Sequence, residues 1–210
     1  MPSLVGSEMC IRDRNKIYGL IGKNINYSFS KNFFNNKFEN EKINAVYINF
    51  DIKKIEEFKT IVTENNISGL NITIPYKESI INQLDYVDPT AKEIGAVNTI
   101  KFHNNILSGY NTDYLGFYTS IKNIVNSNTK ALILGTGGAS KAIAYTLKIL
   151  KIKYLFVSRS KKNKKYLNYN EISKEIINKH NLIINCTPLG TFPEINQIPQ
   201  IPISLITNRH

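Results

Sequence analysis

Lys130-Ala131-Leu132-Ile133-Leu134-Gly135-Thr136-Gly137-Gly138-Ala139-Ser140 is the stretch on which the fold turns. Its apolar residues, Ala131 to Leu134, read as a short buried strand that stops at a glycine turn. Beyond the turn, Ala142, Ile143, Thr146, Leu147 and Leu150 recur at helical spacing and form one apolar face. Ile152 to Val157 is the next strand run, and Leu182 to Asn185 a later one that ends at Cys186-Thr187-Pro188. Strands alternating with helices imply a parallel sheet. In a dinucleotide fold, the first strand-to-helix turn lets backbone N–H groups approach a pyrophosphate at a helix N-terminus. Gly135 and Gly137 fit the first two glycines of that fingerprint, and Ser140 stands at the third, small enough for close packing.

The strand after this helix ends at Ser158-Arg159-Ser160, about 20 residues on. An NAD site would carry an Asp or Glu there to bind the ribose hydroxyls. None is present. The Arg159 guanidinium suits a 2′-phosphate and can stack on adenine, so the expected cofactor is NADP. Lys161 to Lys165 read as a mostly solvated loop.

Upstream, Ile17 to Gly22 reads as a buried strand, with a helix starting near Ser28 and Ser30 and running to about Phe38. Ala45 to Phe50 is a second strand. Ile52, Ile55, Phe58 and Ile61 predict an amphipathic helix over 52–65 with Asp51 as its cap. Ser68 to Thr73 is a third strand, stopped by Pro75. Pro89 opens a helical segment, residues 97–102 and 105–109 read as a hairpin around His103-Asn104-Asn105, and 113–126 read as a helix bridging two domains.

Three polar cassettes end these apolar runs: Asn71-Ile72-Thr73-Ile74-Pro75-Tyr76-Lys77, Ala96-Val97-Asn98-Thr99 and Asn111-Thr112-Asp113. A lysine in a closed cleft can lose solvation and work as an acid or base, which makes Lys77 the candidate, with Asp113 to orient or pair with it. A polar pocket ahead of a nucleotide turn is the layout of a two-domain dehydrogenase.

Composition narrows the field. A hydrophobic fraction of 42% and a charged fraction of 20% over 210 residues are ordinary for a soluble globular chain. No apolar stretch reaches the roughly 20 residues that span a bilayer. With only Cys10 and Cys186, a disulfide framework is not expected, which favours a reducing, cytoplasmic setting. Of the net charge of +11, residues 151–165 carry +7 without an acid. Stacking aromatics or a recognition element beside that charge would mark a nucleic-acid module, and neither is evident. None of His103, His180 and His210 has a partner at metal-ligand spacing, so no metal is expected. Met1 to Arg14 holds two of the chain's four arginines, both methionines and one of two cysteines, and reads as a segment foreign to the fold.

Taken in order, Tyr18 to Gly22, Ser28-Phe29-Ser30, Gly69 to Lys77, Gly95 to Thr99, Gly109 to Phe117, Gly135 to Ala142, Ser158 to Ser160 and Asn185 to Gly190 resemble the shikimate dehydrogenase family. The resemblance implies an α/β chain: a substrate-binding catalytic domain with a mixed sheet over 15–112, a linker helix over 113–127, and a Rossmann-like NADP-binding domain over 128–210. It implies NADPH-dependent reduction of 3-dehydroshikimate to shikimate, a small-molecule substrate, and a monomer or homodimer. By position, Ser28 and Ser30 would bind the substrate carboxylate, while Asn71, Thr73, Asn98 and Asp113 line the rest of its pocket. Lys77 would move the proton, with Asp113 beside it. Gly135, Thr136, Gly137, Gly138 and Ala139 would hold the pyrophosphate, Arg159 with Ser158 and Ser160 the 2′-phosphate, and Thr187 would lie near the nicotinamide. Tyr27 stands where the family usually has His, and the family's C-terminal helix with its substrate-binding Gln is not matched, so the last domain is expected to be incomplete. The alternatives are an NAD-preferring quinate/shikimate dehydrogenase and a catalytically weak nucleotide-binding fragment.

Overall fold

A computed structural model describes residues 16–160, 163–192, 194–208 and 210. The segment 1–14, read above as foreign, lies outside the described residues, as do Lys161 and Lys162. The chain forms two compact units. The first runs to Glu93 and resumes over Val97–Tyr110; the second takes Ile94–Ala96 and everything from Asn111.

In the first unit the strands are β1 (Lys16–Gly22), β2 (Ala45–Asp51), β3 (Ile67–Ile72), β4 (Tyr86–Val87), β5 (Thr99–His103) and β6 (Ile106–Tyr110). Its helices are α1 (Ser30–Asn40), α2 (Glu57–Glu64) and α3 (Pro89–Ile94). The sheet order is β2-β1-β3-β5-β6-β4. β1 is parallel to both β2 and β3, whereas β5 runs antiparallel to β3 and to β6, so the sheet is mixed as expected. The β5–β6 turn is the predicted hairpin: Asn104 and Asn105 take φ of 50° and 60°, a left-handed pair that asparagine tolerates better than most residues. Alternation along β1 buries both faces. Ile17 and Ile21 pack with Phe58, Ile67, Ile72 and Ile100, while Leu20 packs with Ile25, Phe38, Ala45 and Tyr47.

The helix predicted over 52–65 is shorter than its apolar spacing implies. It covers only Glu57–Glu64, and Asp51 does not cap it. The Asp51 carboxylate instead accepts from the N–H groups of Asn24 (2.8 Å) and Ile25 (3.1 Å), closing the loop after β1. The Ile52 N–H donates to the Gly22 carbonyl (3.0 Å), so this residue still belongs to the end of the sheet. Glu57 takes over at the helix start, accepting from the N–H groups of Lys53 (2.9 Å) and Lys54 (2.8 Å).

The second unit contains β7 (Lys130–Leu134), β8 (Lys153–Ser158), β9 (Tyr166–Asn168) and β10 (Leu182–Asn185), with α4 (Asp113–Ile121), α5 (Gly138–Ile149) and α6 (Lys174–Lys179). The sheet order is β10-β7-β8-β9, and every pairing is parallel. Strands buried on both faces read as continuous apolar runs. Ala131 to Leu134 are at most 1% exposed for that reason. Ile133 packs with Leu147 of α5 and Ile121 of α4 on one face; Leu132 and Leu134 pack with Ile177 of α6 on the other. Helix α4 ends at Ile121, short of the predicted 126, and is fastened to α5 by the Thr146 hydroxyl, which donates to the Tyr114 carbonyl (3.0 Å). Together these features give an α/β fold with a mixed sheet followed by a Rossmann-like parallel sheet.

Candidate active site

In the first unit the candidate residues follow the ends of β1 and β3, where open α/β sheets bind ligands. The Thr73 N–H donates to the Ile21 carbonyl (2.8 Å), which holds Thr73 against the end of β1. Only glycine fits opposite: a Cβ on Gly22 would lie 2.5 Å from Thr73 Cγ2. The next turn is anchored by Tyr76, whose buried phenol donates to the Ile52 carbonyl (2.8 Å). Lys77, half-buried, follows directly, and its carbonyl accepts from the Val97 N–H (2.7 Å). That bond joins the first cassette to the second. So does the bond from the Ile72 N–H to the Asn98 carbonyl (2.8 Å). The buried Asn98 side chain accepts from the Thr99 hydroxyl (3.1 Å). At the start of α1, the Ser30 N–H donates to Ser28 Oγ (3.3 Å), and both serines are half-buried.

Tyr47 of β2 is a residue that no sequence pattern singled out. Its phenol donates to Asn71 Oδ1 (2.8 Å), which ties β3 to β2 across the sheet end. Burial pushes the phenol pKa up.

The third cassette belongs to the second unit. Asn111 is buried, donating from Nδ2 to the Ala96 carbonyl (2.9 Å) and accepting from the Tyr114 N–H (3.3 Å). Asp113 is half-buried as the first residue of α4.

At the glycine turn, Gly135 has φ +103°, and a Cβ there would approach the Cys186 carbonyl oxygen to 3.0 Å. A Cβ at the exposed Gly137 would meet nothing within 4 Å, so the backbone is open to a ligand at that point. The third fingerprint position tolerates Ser140 because its hydroxyl donates to the Gly137 carbonyl (2.6 Å) while the residue is fully buried. Helix α5 begins at this turn with no side-chain cap and no acid in its first turn. Its positive end is therefore available to an anion.

At the end of β8 the Ser158 hydroxyl donates to the Ser160 carbonyl (2.7 Å) and accepts from the Ser160 N–H (3.0 Å), which closes the turn around Arg159. The Arg159 side chain is exposed. Asn168 of β9 supports its main chain, donating from Nδ2 to the Arg159 carbonyl (3.3 Å). After β10, the Asn185 side chain accepts from the Thr187 N–H (3.0 Å) and hydroxyl (2.7 Å). Burial pushes the half-buried Cys186 thiol up to about 12, which leaves it protonated and not a nucleophile. Among the described residues no His, Cys, Asp and Glu cluster could hold a metal, and no helix is long and apolar enough to cross a membrane.

The residues of the second unit thus fit a dinucleotide phosphate: a glycine backbone with open space, an uncapped helix start and an exposed arginine one strand away. The fold and these residues define a dehydrogenase of the two-unit α/β class. A family model described as the shikimate dehydrogenase substrate binding domain matches residues 20–100. The chain is 42% identical over 200 residues to shikimate dehydrogenase (NADP(+)) of Clostridium botulinum (strain Hall), covering 89% of this chain and 76% of that protein. Shikimate dehydrogenase 1 from Peptoclostridium difficile has a similar crystal structure, with TM-score 0.81 and 37% identity over 90% of this chain and 73% of that one. Shikimate 5-dehydrogenase from Thermus thermophilus, solved in complex with NADP(H) and shikimate, gives TM-score 0.74 and 25% identity over 90% and 74% of the two chains. The chain belongs to the shikimate dehydrogenase family.

Proposed function

We propose that this chain reduces 3-dehydroshikimate to shikimate with NADPH, and that Lys77 is its general acid and base. The observation that carries the reading is the fixed main chain around Lys77, bonded through Thr73 on one side and through its own carbonyl on the other, with the side chain itself only half-buried. NADPH, when bound, supplies the hydride that the C3 carbonyl carbon receives. Lys77 gives its proton to the carbonyl oxygen as that oxygen gains charge, and takes it back in the reverse direction. Asp113 is the second catalytic group. Ser28 and Ser30 bind the substrate carboxylate; Asn71, Thr73 and Asn98 orient its ring hydroxyls.

Gly135 to Ala139 would hold the cofactor pyrophosphate, and Arg159 the 2′-phosphate on the turn that Ser158 and Ser160 close. Thr187 would border the nicotinamide half. NADPH rather than NADH is supported by the exposed guanidinium and by the lack of an acid at the end of β8. The reading carries with it a cytoplasmic setting, which the free thiol of Cys186 suits, and a chain acting as monomer or homodimer.

An NADP-linked absorbance assay with shikimate tests it. General acid–base help is worth about 10²–10⁴-fold, so Lys77→Ala should lower kcat by about that factor with little change in shikimate KM. Near-normal turnover in that variant would end the assignment of Lys77. Absence of turnover by the unmodified chain would end the assigned reaction.

A further inference from the structure

We propose that Tyr47 is a positioning residue for substrate, a buried phenol that sets the orientation of the Asn71 amide; the proposal rests on the pocket assigned above. Three contacts hold Tyr47 to α1. Its ring, 3% exposed, stacks on Phe34 of α1 at 4.7 Å between centroids and 17° between planes. Its N–H donates to Asn35 Oδ1 and its carbonyl accepts from Asn35 Nδ2, both at 2.9 Å. β2 is an edge strand, and Asn35 fills the place a further strand would take. With ring and main chain both held by α1, the phenol oxygen has one place to be. From there it reaches Asn71 on β3.

The bonding is directional. A phenol has one proton, and here it goes to Asn71 Oδ1 (2.8 Å). That bond fixes which end of the Asn71 amide is oxygen and which is nitrogen before a ligand binds, so the ordering cost of this side chain is met on folding rather than on binding. Burial keeps the phenol neutral, so it remains a donor throughout the working pH range.

Tyr47→Phe tests this, since it removes the oxygen and keeps the ring and both Asn35 bonds. The expected result is a shikimate KM raised about tenfold, the scale of one or two lost hydrogen bonds. The kcat and the KM for NADP(H) should stay within about twofold, with an unchanged thermal midpoint to within a few degrees. A merely structural role would weaken cofactor binding and kcat alongside KM, and that pattern overturns the proposal, as does a shikimate KM unchanged within twofold. Should the variant not fold, Asn71→Asp gives the second reading, since it keeps an acceptor for the phenol and removes the Nδ2 donors. A shikimate KM raised about tenfold or more supports the proposal, and one unchanged within twofold overturns it. If the unmodified chain neither binds nor turns over shikimate, the functional reading fails and takes this proposal with it. If it does, and Tyr47→Phe matches it, only the proposal fails.

Discussion

Cys186 ends an apolar strand run, a position where a thiol is expected to be buried rather than reactive, and its environment keeps it inert. It lies between β10 and Thr187, beside the glycine turn, where a reactive thiol would be chemically noticeable. Burial without a compensating cation raises its pKa from 9.0 to about 12. At any pH below 9 the native thiolate fraction is then about a thousandfold below that of an exposed cysteine. Alkylation by iodoacetamide, followed at the Cys186 peptide by mass spectrometry, should be slower by about that factor in the folded chain than in urea. Its rate should keep climbing about tenfold per pH unit through pH 9 to 11, and a plateau near pH 9 would contradict the assigned environment. The sign for stability is the same. The folded pKa lies above the unfolded one, so this group's contribution is fully present below about pH 9 and is lost as pH rises toward about 12.

At the scale of elements, what could be read in advance was what neighbouring residues decide. β1, β3, β7 and the β5–β6 hairpin announced themselves by apolar runs and asparagine or glycine punctuation. The helix expected over 52–65 was overextended because Asp51 and Ile52 bond to the loop and strand end after β1, partners about 30 residues away that periodicity cannot show. β9 is three residues beside a lysine-rich stretch, and α6 is a helix of six, so neither has room for a pattern. The candidate site divides the same way. Lys77 and Gly135 stand in motifs, whereas the role of Tyr47 depends on a partner 24 residues on. Asn35 is the other hidden element-level contact, since it docks α1 on the β2 edge. Asn35→Ala removes two partly buried hydrogen bonds and should cost about 1–3 kcal/mol. Asn35→Asp should cost at least as much, because a carboxylate cannot donate to the Tyr47 carbonyl. A urea midpoint shifted at constant m would report the loss, and an unshifted midpoint for both variants would show that Asn35 does not hold this edge.

Over the whole molecule the feature that most needs a physical account is charge. A net +11 with +7 inside residues 151–165 resembles a polyanion-binding surface by number alone. Its local structure argues for a narrower use. Arg159 lies on a turn closed by the Ser158 hydroxyl and supported by Asn168 on the neighbouring strand. Lys164 and Lys165 are exposed beyond it. At physiological ionic strength the screening length is about 8 Å, so exposed lysines contribute little to a ligand they do not touch. A charge-assisted guanidinium–phosphate contact is worth about 2 kcal/mol, or about thirtyfold in affinity. Arg159→Ala should therefore raise the KM for NADP+ by about that factor and leave the KM for NAD+ within about twofold, since NAD+ lacks the 2′-phosphate. Reversing both Lys164 and Lys165 to Glu should move the NADP+ KM no more than about twofold at 0.15 M salt. Equal losses for the two cofactors on removing Arg159 would mean that it serves the fold rather than the 2′-phosphate. A larger effect from the lysine reversal than from Arg159 would mean that the cofactor is held by the diffuse charge of the whole segment.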